Sequence, residues 1–158
     1  MIDEGFSNHT EALQQFDDFL TRMDDQLDVV HREARRHGLD LDFSLDDLER
    51  LELLFDAVSA DATEERRVDW TIALGRHLGE LLRHRFGGRW TLPLDDPRDV
   101  NFNQPVIVGH SPVAGLPFAP LRVMKAYALR RRRGLLRTAV MADVEPRALD
   151  LDSLIEDQ

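Results

Sequence analysis

Six histidines are the first residues to test for chemistry: His9, His31, His37, His77, His84 and His110. A helical zinc site needs two imidazoles about one turn apart, as in His-Glu-x-x-His, with further ligands close by. The pairs that share a helix here are His31/His37, six residues apart, and His77/His84, seven apart, and no carboxylate completes either set. His77 and His84 can share a side of a helix, but two turns separate them, too far for one ion. The expectation is therefore surface histidines. Ser111 follows His110 directly, but adjacent residues do not by themselves form a nucleophile–base pair, and no Gly-x-Ser-x-Gly elbow accompanies them. Neither Gly-x-Gly-x-x-Gly nor Gly-x-x-x-x-Gly-Lys occurs, so phosphate-cradling loops are missing too. The carboxylate pairs Asp17/Asp18, Asp24/Asp25 and Asp46/Asp47 are expected on solvent faces of helices, without the apolar setting that would raise a carboxyl pKa for acid–base work. The absence of cysteine removes thiolate ligands and thiol nucleophiles. No catalytic residue, metal or cofactor is assigned, and the chain is read as a non-enzyme.

Charge carries more information. The formal net charge is −10, but it is segregated: −14 over residues 1–65, +9 over 66–142 and −5 over 143–158. Oppositely charged segments can fold onto each other, or one pole can face a charged partner and steer its approach. The candidate acidic surface comprises Asp17, Asp18, Asp24, Asp25 and Asp28; the one dense cation cluster is Arg130, Arg131, Arg132 and Arg133, with Arg122, Lys125 and Arg137 nearby. Such arginines can contact phosphates. However, only Tyr127 stands near them as a stacking aromatic, and four consecutive residues point all around a helix.

The elements that must position these groups follow from periodicity. Leu13, Phe16, Leu20, Met23, Leu27, Val30 and Ala34 step by threes and fours, predicting a heptad-seamed helix over 10–37 ended by Gly38. That seam can pack within the chain or pair two chains. Residues 39–43 read as a linker with Phe43 tucked in. Ser44 and Asp47 form a capping pattern before a short helix bearing Leu45, Leu48, Leu51, Leu54, Phe55 and Val58. The helix around which the rest is organised starts at a Thr63 cap with Glu64 and Glu65, and ends with Arg83, His84, Arg85 and Gly87. Its apolar positions Val68, Ile72, Leu74, Leu78, Leu81, Leu82 and Phe86 predict one buried face. Thr71, Gly75 and Gly79 fall four apart, and two interior glycines, each costing about 1 kcal/mol against alanine, predict a closely crossing backbone. Trp90–Leu94 and Pro105–Gly109 then predict a two-stranded antiparallel ribbon, and Pro120 starts a helix carrying the arginine run, which residues 135–141 continue or restart after a kink at Gly134. In the acidic tail, Leu149, Leu151, Leu154 and Ile155 are the residues available for a final amphipathic turn. No run of apolar residues is long enough to span a membrane, and the polar, acidic start is not a signal peptide.

The order of Leu-Gly-x-x-Leu-Gly-Glu-x-Leu (74–82), Gly-Gly-x-Trp (87–90), Pro-Val-Ile-Val-Gly (105–109) and Phe-x-Pro (118–120) resembles small bacterial domains of unknown function, the DUF3806-like group. It covers about residues 70–130, implies an α+β fold and a bacterial source, and supplies no catalytic residues. The expectation is thus one α+β domain over 1–142, its helical N-terminal half packed on a small antiparallel ribbon and followed by a C-terminal helix, with an acidic tail over 143–158. The function expected is a non-catalytic, cytoplasmic protein-interaction module, accessory or immunity-like, whose acidic helix meets a basic protein. A homodimer through helix 10–37 is a second arrangement, with no membrane partner. The alternative is nucleic-acid binding through Arg130–Arg133. An enzyme with a cleft near Trp90, Asn101, Asn103 and His110 is the third possibility.

Overall fold

In the computed structural model, residues 2–146 are described, with side chains from residue 8. The element order is α1 (Ile2–Thr21), α2 (Met23–Arg36), α3 (Asp47–Ser59), α4 (Glu64–Phe86), β1 (Arg89–Thr91), β2 (Val106–Val108), α5 (Pro120–Arg130) and α6 (Leu135–Val144). The described residues are mostly helical, with one small antiparallel sheet. Residues 135–141 restart as a separate helix after Gly134, and α6 runs on to Val144. The tail leucines and Ile155 lie outside the described residues.

α4 is central, and its ends follow the local rules. Thr63 Oγ1 accepts from Arg66 N, Glu64 and Glu65 fill the first turn, and Gly87 at φ 81° closes the helix with its N–H on Arg83 O. A single buried face was expected, but every residue from Ala73 to Leu82 is buried, including Arg76, His77 and Glu80. Conversely, Val68 and Ile72 are exposed. The reason is that α2, α3 and α5 all pack on α4, so its middle has no solvent side. The glycine stripe does what its spacing predicts. A Cβ on Gly75 would stand 3.0 Å from Leu121 Cα, and one on Gly79 would run into the Trp90 ring and come within 3.1 Å of Pro120 Cγ.

The seam of the first helical stretch is real but shifted in phase. Hydrogen bonding continues across Arg22, from Arg22 N to Asp18 O and from Gln26 N to Arg22 O, so α1 runs into α2 with only a local distortion. Met23, Val30 and Ala34 are buried as expected. Further back, Ala12 and Phe19 take the inward positions, and Leu13 and Leu20 are exposed. Phe19, Met23, Trp90 and Ile107 form a small core under α1, separate from the main core between α2 and α6.

The ribbon is shorter than its sequence signal. β1 pairs with β2 in the register Trp90↔Ile107, and Ile107 and Phe118 exchange two backbone hydrogen bonds of 2.8 and 2.9 Å. Phe118 thereby ties the start of α5 to the sheet. Among the described residues, no helix is long and apolar enough to cross a membrane.

Candidate functional site

Asp17, Asp18, Asp24, Asp25 and Asp28 are all exposed, and none joins an ion pair among the described residues. Leu13, Asp17, Leu20, Asp24 and Asp28 follow one another by steps of four, three, four and four, which keeps them on one side of a helix. Leu13 is 48% exposed and Leu20 38%. An outward stripe of alternating leucine and aspartate therefore runs along α1 and α2, with Asp18 and Asp25 beside it.

The arginine run behaves differently. α5 ends at Arg130; Arg131 adopts a left-handed cap at φ 51°, and Gly134 at φ 89° opens α6, so the run is a turn rather than a helix end. Arg131 and Arg133 both reach Asp56 on α3, at 3.1 and 2.6 Å. Arg137 grips Glu49 at 2.6 and 2.9 Å. Glu52, buried on α3, accepts from Gly134 N at 2.9 Å and Leu136 N at 3.1 Å, capping α6 from another helix. Arg130 and Arg132 remain exposed, without an ion pair among the described residues. Three arginines of the basic segment are thus met by the acids of α3, whereas Asp17, Asp18, Asp24, Asp25 and Asp28 have no ion-pair partner among the described residues.

His77 and His110, expected at the surface, are instead buried. His77 Nε2 lies 2.8 Å from Asp47 Oδ2, and His77 Nδ1 lies 3.2 Å from His31 Nε2. Asp47, expected on a solvent face beside Asp46, is fully buried, and it does not act within the capping pattern with Ser44. It accepts instead from Asp42 N, from Phe43 N at 2.8 Å and from Arg50 Nη1 at 3.0 Å. Burial opposes ionisation, but the donors from His77, Arg50 and Phe43 outweigh it and hold the carboxyl below its ordinary range. With Asp47 an acceptor only, His77 Nε2 carries the proton, its Nδ1 accepts, and His31 Nε2 donates. The Phe43 ring stacks between His77 and His84, at 4.5 and 4.4 Å between centroids, and Phe43 holds a left-handed φ of 61°. A carboxylate–imidazole pair of this kind can orient a base. Here both nitrogens of a fully buried His77 are occupied, so the chain clamps α2, α3 and α4 together, and only half-buried His31 meets water.

The other chemistry-bearing residues separate. His110, buried, places Nε2 2.9 Å from Asp143 Oδ2 on α6, and its Nδ1 has no partner among the described residues. Ser111 donates to the Asp143 backbone oxygen at 2.6 Å and accepts from Val113 N, so its hydroxyl proton is not aimed at an imidazole. The residues grouped around an expected cleft take different partners. Trp90 Nε1 donates to Glu80 at 2.9 Å, and Asn101 accepts from Arg122 at 3.0 Å. Asn103 is exposed, and its backbone N–H goes to Pro93 O. No three His, Asp or Glu side chains gather as metal ligands among the described residues.

Comparison with family models, curated proteins and solved structures gave no match.

Proposed function

We propose that this chain is a non-catalytic protein-interaction module that meets a basic partner through the outer face of α1 and α2. The observation that carries it is the contrast in charge compensation. Glu49, Glu52 and Asp56 on α3 engage arginines of the C-terminal segment, whereas the carboxylates of Asp17, Asp24 and Asp28 engage none among the described residues and share their face with exposed Leu13 and Leu20. Leucine and aspartate on one stripe suit an amphipathic helix carrying arginine or lysine beside its apolar row, the helix-on-helix mode of recognition. A second copy of this chain fits less well, since its own stripe would set aspartate against aspartate. Nucleic-acid binding through Arg130–Arg133 loses support because Arg131 and Arg133 are already paired. The motif order between residues 74 and 120 keeps a bacterial setting within the proposal, and the acidic N-terminal segment an accessory or immunity-like role.

The test is a tagged pull-down from the native host, with and without nuclease, comparing the natural chain with one in which all five aspartates are changed to asparagine. A protein recovered stoichiometrically, insensitive to nuclease, released by salt and lost with the substituted chain would support the proposal. Full retention of every partner by the substituted chain would sink it. Light scattering of the purified protein, with and without Leu13→Ser and Leu20→Ser, reports the self-association outcome.

A further inference from the structure

Besides His110 and Tyr127, five charged or titratable side chains are buried among the described residues, and four have an opposite charge or a titratable partner. Asp47 and His77 pair with each other, Glu52 lies 3.8 Å from Arg133, and Glu80 binds Arg83 at 2.9 Å. Arg76 is the exception. It is only 7% exposed and has no carboxylate within ion-pair distance among the described residues. One Nη donates to the Phe19 carbonyl, the guanidinium lies 4.0 Å over the Phe19 ring, and buried Nε has no acceptor. Leaving a buried cation short of acceptors is costly, and proteins normally correct it.

Arg76 also lines a cavity of about 390 Å³ between α2 and α4. That volume falls within the range of small-molecule sites, roughly 300–1,000 Å³. Trp70, Val29 and Ile72 give it apolar walls, and Arg66, whose guanidinium stands 5.9 Å over the Trp70 ring, is a second cation in the lining. Asp69 supplies the one acid, so the lining holds two positive charges and one negative. That balance matches a monoanion and disfavours a dianion. We propose that this groove binds a small organic monocarboxylate, its carboxylate on the Arg76 guanidinium and its apolar body against Trp70, Val29 and Ile72. A guanidinium fork is made for a carboxylate, and the apolar walls give the rest of the ligand a place to leave water. Burial, with Arg22 nearby, also lowers the Arg76 pKa, the response of a cation still lacking a counter-charge. The site is independent of the acidic stripe, and either can fail without the other.

The test is a proton–nitrogen correlation titration of the full chain at constant ionic strength, with sodium benzoate, neutral benzamide and inorganic phosphate as probes. The two tryptophans give two indole N–H signals. Benzoate should move the Trp70 signal and the backbone signals of Gln26, Ala73 and Arg76 saturably, with an affinity of about 1 mM or tighter. Benzamide should leave them in place, and phosphate should bind more weakly. Arg76→Met should weaken benzoate by about tenfold or more, the worth of one charge-assisted hydrogen bond. Should that variant not fold, Arg66→Ala, at an exposed position, should weaken benzoate severalfold with the spectrum otherwise unchanged. The proposal is overturned if benzamide binds as well as benzoate or if phosphate binds more tightly. It is also overturned if no saturable shift occurs, or if a folded Arg76→Met or Arg66→Ala chain binds benzoate like the natural one.

Discussion

Asp47 and His77 meet across 2.8 Å with neither side chain exposed, and the pair joins the start of α3 to the middle of α4. Asp47 also holds the backbone N–H groups of Asp42 and Phe43. Removing its carboxylate therefore leaves several buried donors unpaired at once. Asp47→Ala should cost about 3–5 kcal/mol, the usual penalty for deleting one partner of a buried pair. Asp47→Asn, which keeps an acceptor, should cost less. Urea unfolding with an unchanged denaturant slope is the measurement. A loss below about 1 kcal/mol for Asp47→Ala would show that the pair does not hold the helices together.

His31 is the member of this chain that water can reach, and its pKa is lowered from 6.5, by burial first and then by His77. A histidine whose folded pKa is depressed takes up its proton more readily when unfolded. Its contribution to stability is therefore fully present above the unfolded value of about 6.5 and declines as pH falls through that value toward the folded one. The melting temperature should fall on acidification from about pH 7 to pH 5, and His31→Gln should flatten that decline. Equal slopes in both proteins would assign the acid sensitivity to other groups.

A methyl group at Gly79 would collide with the indole of Trp90, which is pinned by its bond to Glu80. Gly79→Ala should therefore destabilise by about 1–3 kcal/mol through overpacking, even though alanine is the better helix former by about 1 kcal/mol. In a Trp90→Phe background the obstructing ring atoms are gone, and the same substitution should cost much less. A double-mutant cycle by chemical denaturation isolates this coupling. Additive costs would place the strain elsewhere.

What the sequence made legible is local. The Thr63 cap, the Gly87 stop, the close approach at Gly75 and Gly79, the Phe43 tuck and the two strands all rest on residues within a few positions of one another. What was hidden depends on partners far along the chain. Asp47 lies thirty residues from His77, and nothing near Asp47 distinguishes it from exposed Asp46. Arg76, His77 and Glu80 read as a polar face, yet helices on every side of α4 enclose them. The row Leu13–Leu20 lost its inward place to Ala12 and Phe19 because Trp90 and Arg76 receive the Phe19 ring, a choice between two apolar rows that periodicity cannot make. The fate of the arginine run was likewise undecidable locally, because its acceptors, Asp56 and Glu52, sit on α3 more than seventy residues away.

Tyr127 reports on that same junction. It is the chain's one tyrosine, is fully buried, and donates its hydroxyl to Asp56 Oδ1 at 2.8 Å, beside the bonds from Arg131 and Arg133. Burial first, and then the Asp56 carboxylate, push the phenol well above its ordinary value of 10.0. A raised pKa means that the folded state holds the proton more tightly. The associated stability is fully present below the unfolded value of about 10 and is lost as pH rises beyond it toward the folded one. An alkaline titration followed at the phenolate absorption band should show no ionisation near pH 10 while the protein stays folded. In urea the same tyrosine should titrate near 10. Tyr127→Phe should cost about 1.5–3 kcal/mol at neutral pH, since a buried hydrogen bond to a charged group is lost, and its stability should fall less between neutral and alkaline pH. A phenolate signal appearing near pH 10 with unfolding absent would mean that Tyr127 and Asp56 do not meet as described, and the tie between α5 and α3 would have to rest on the arginines alone.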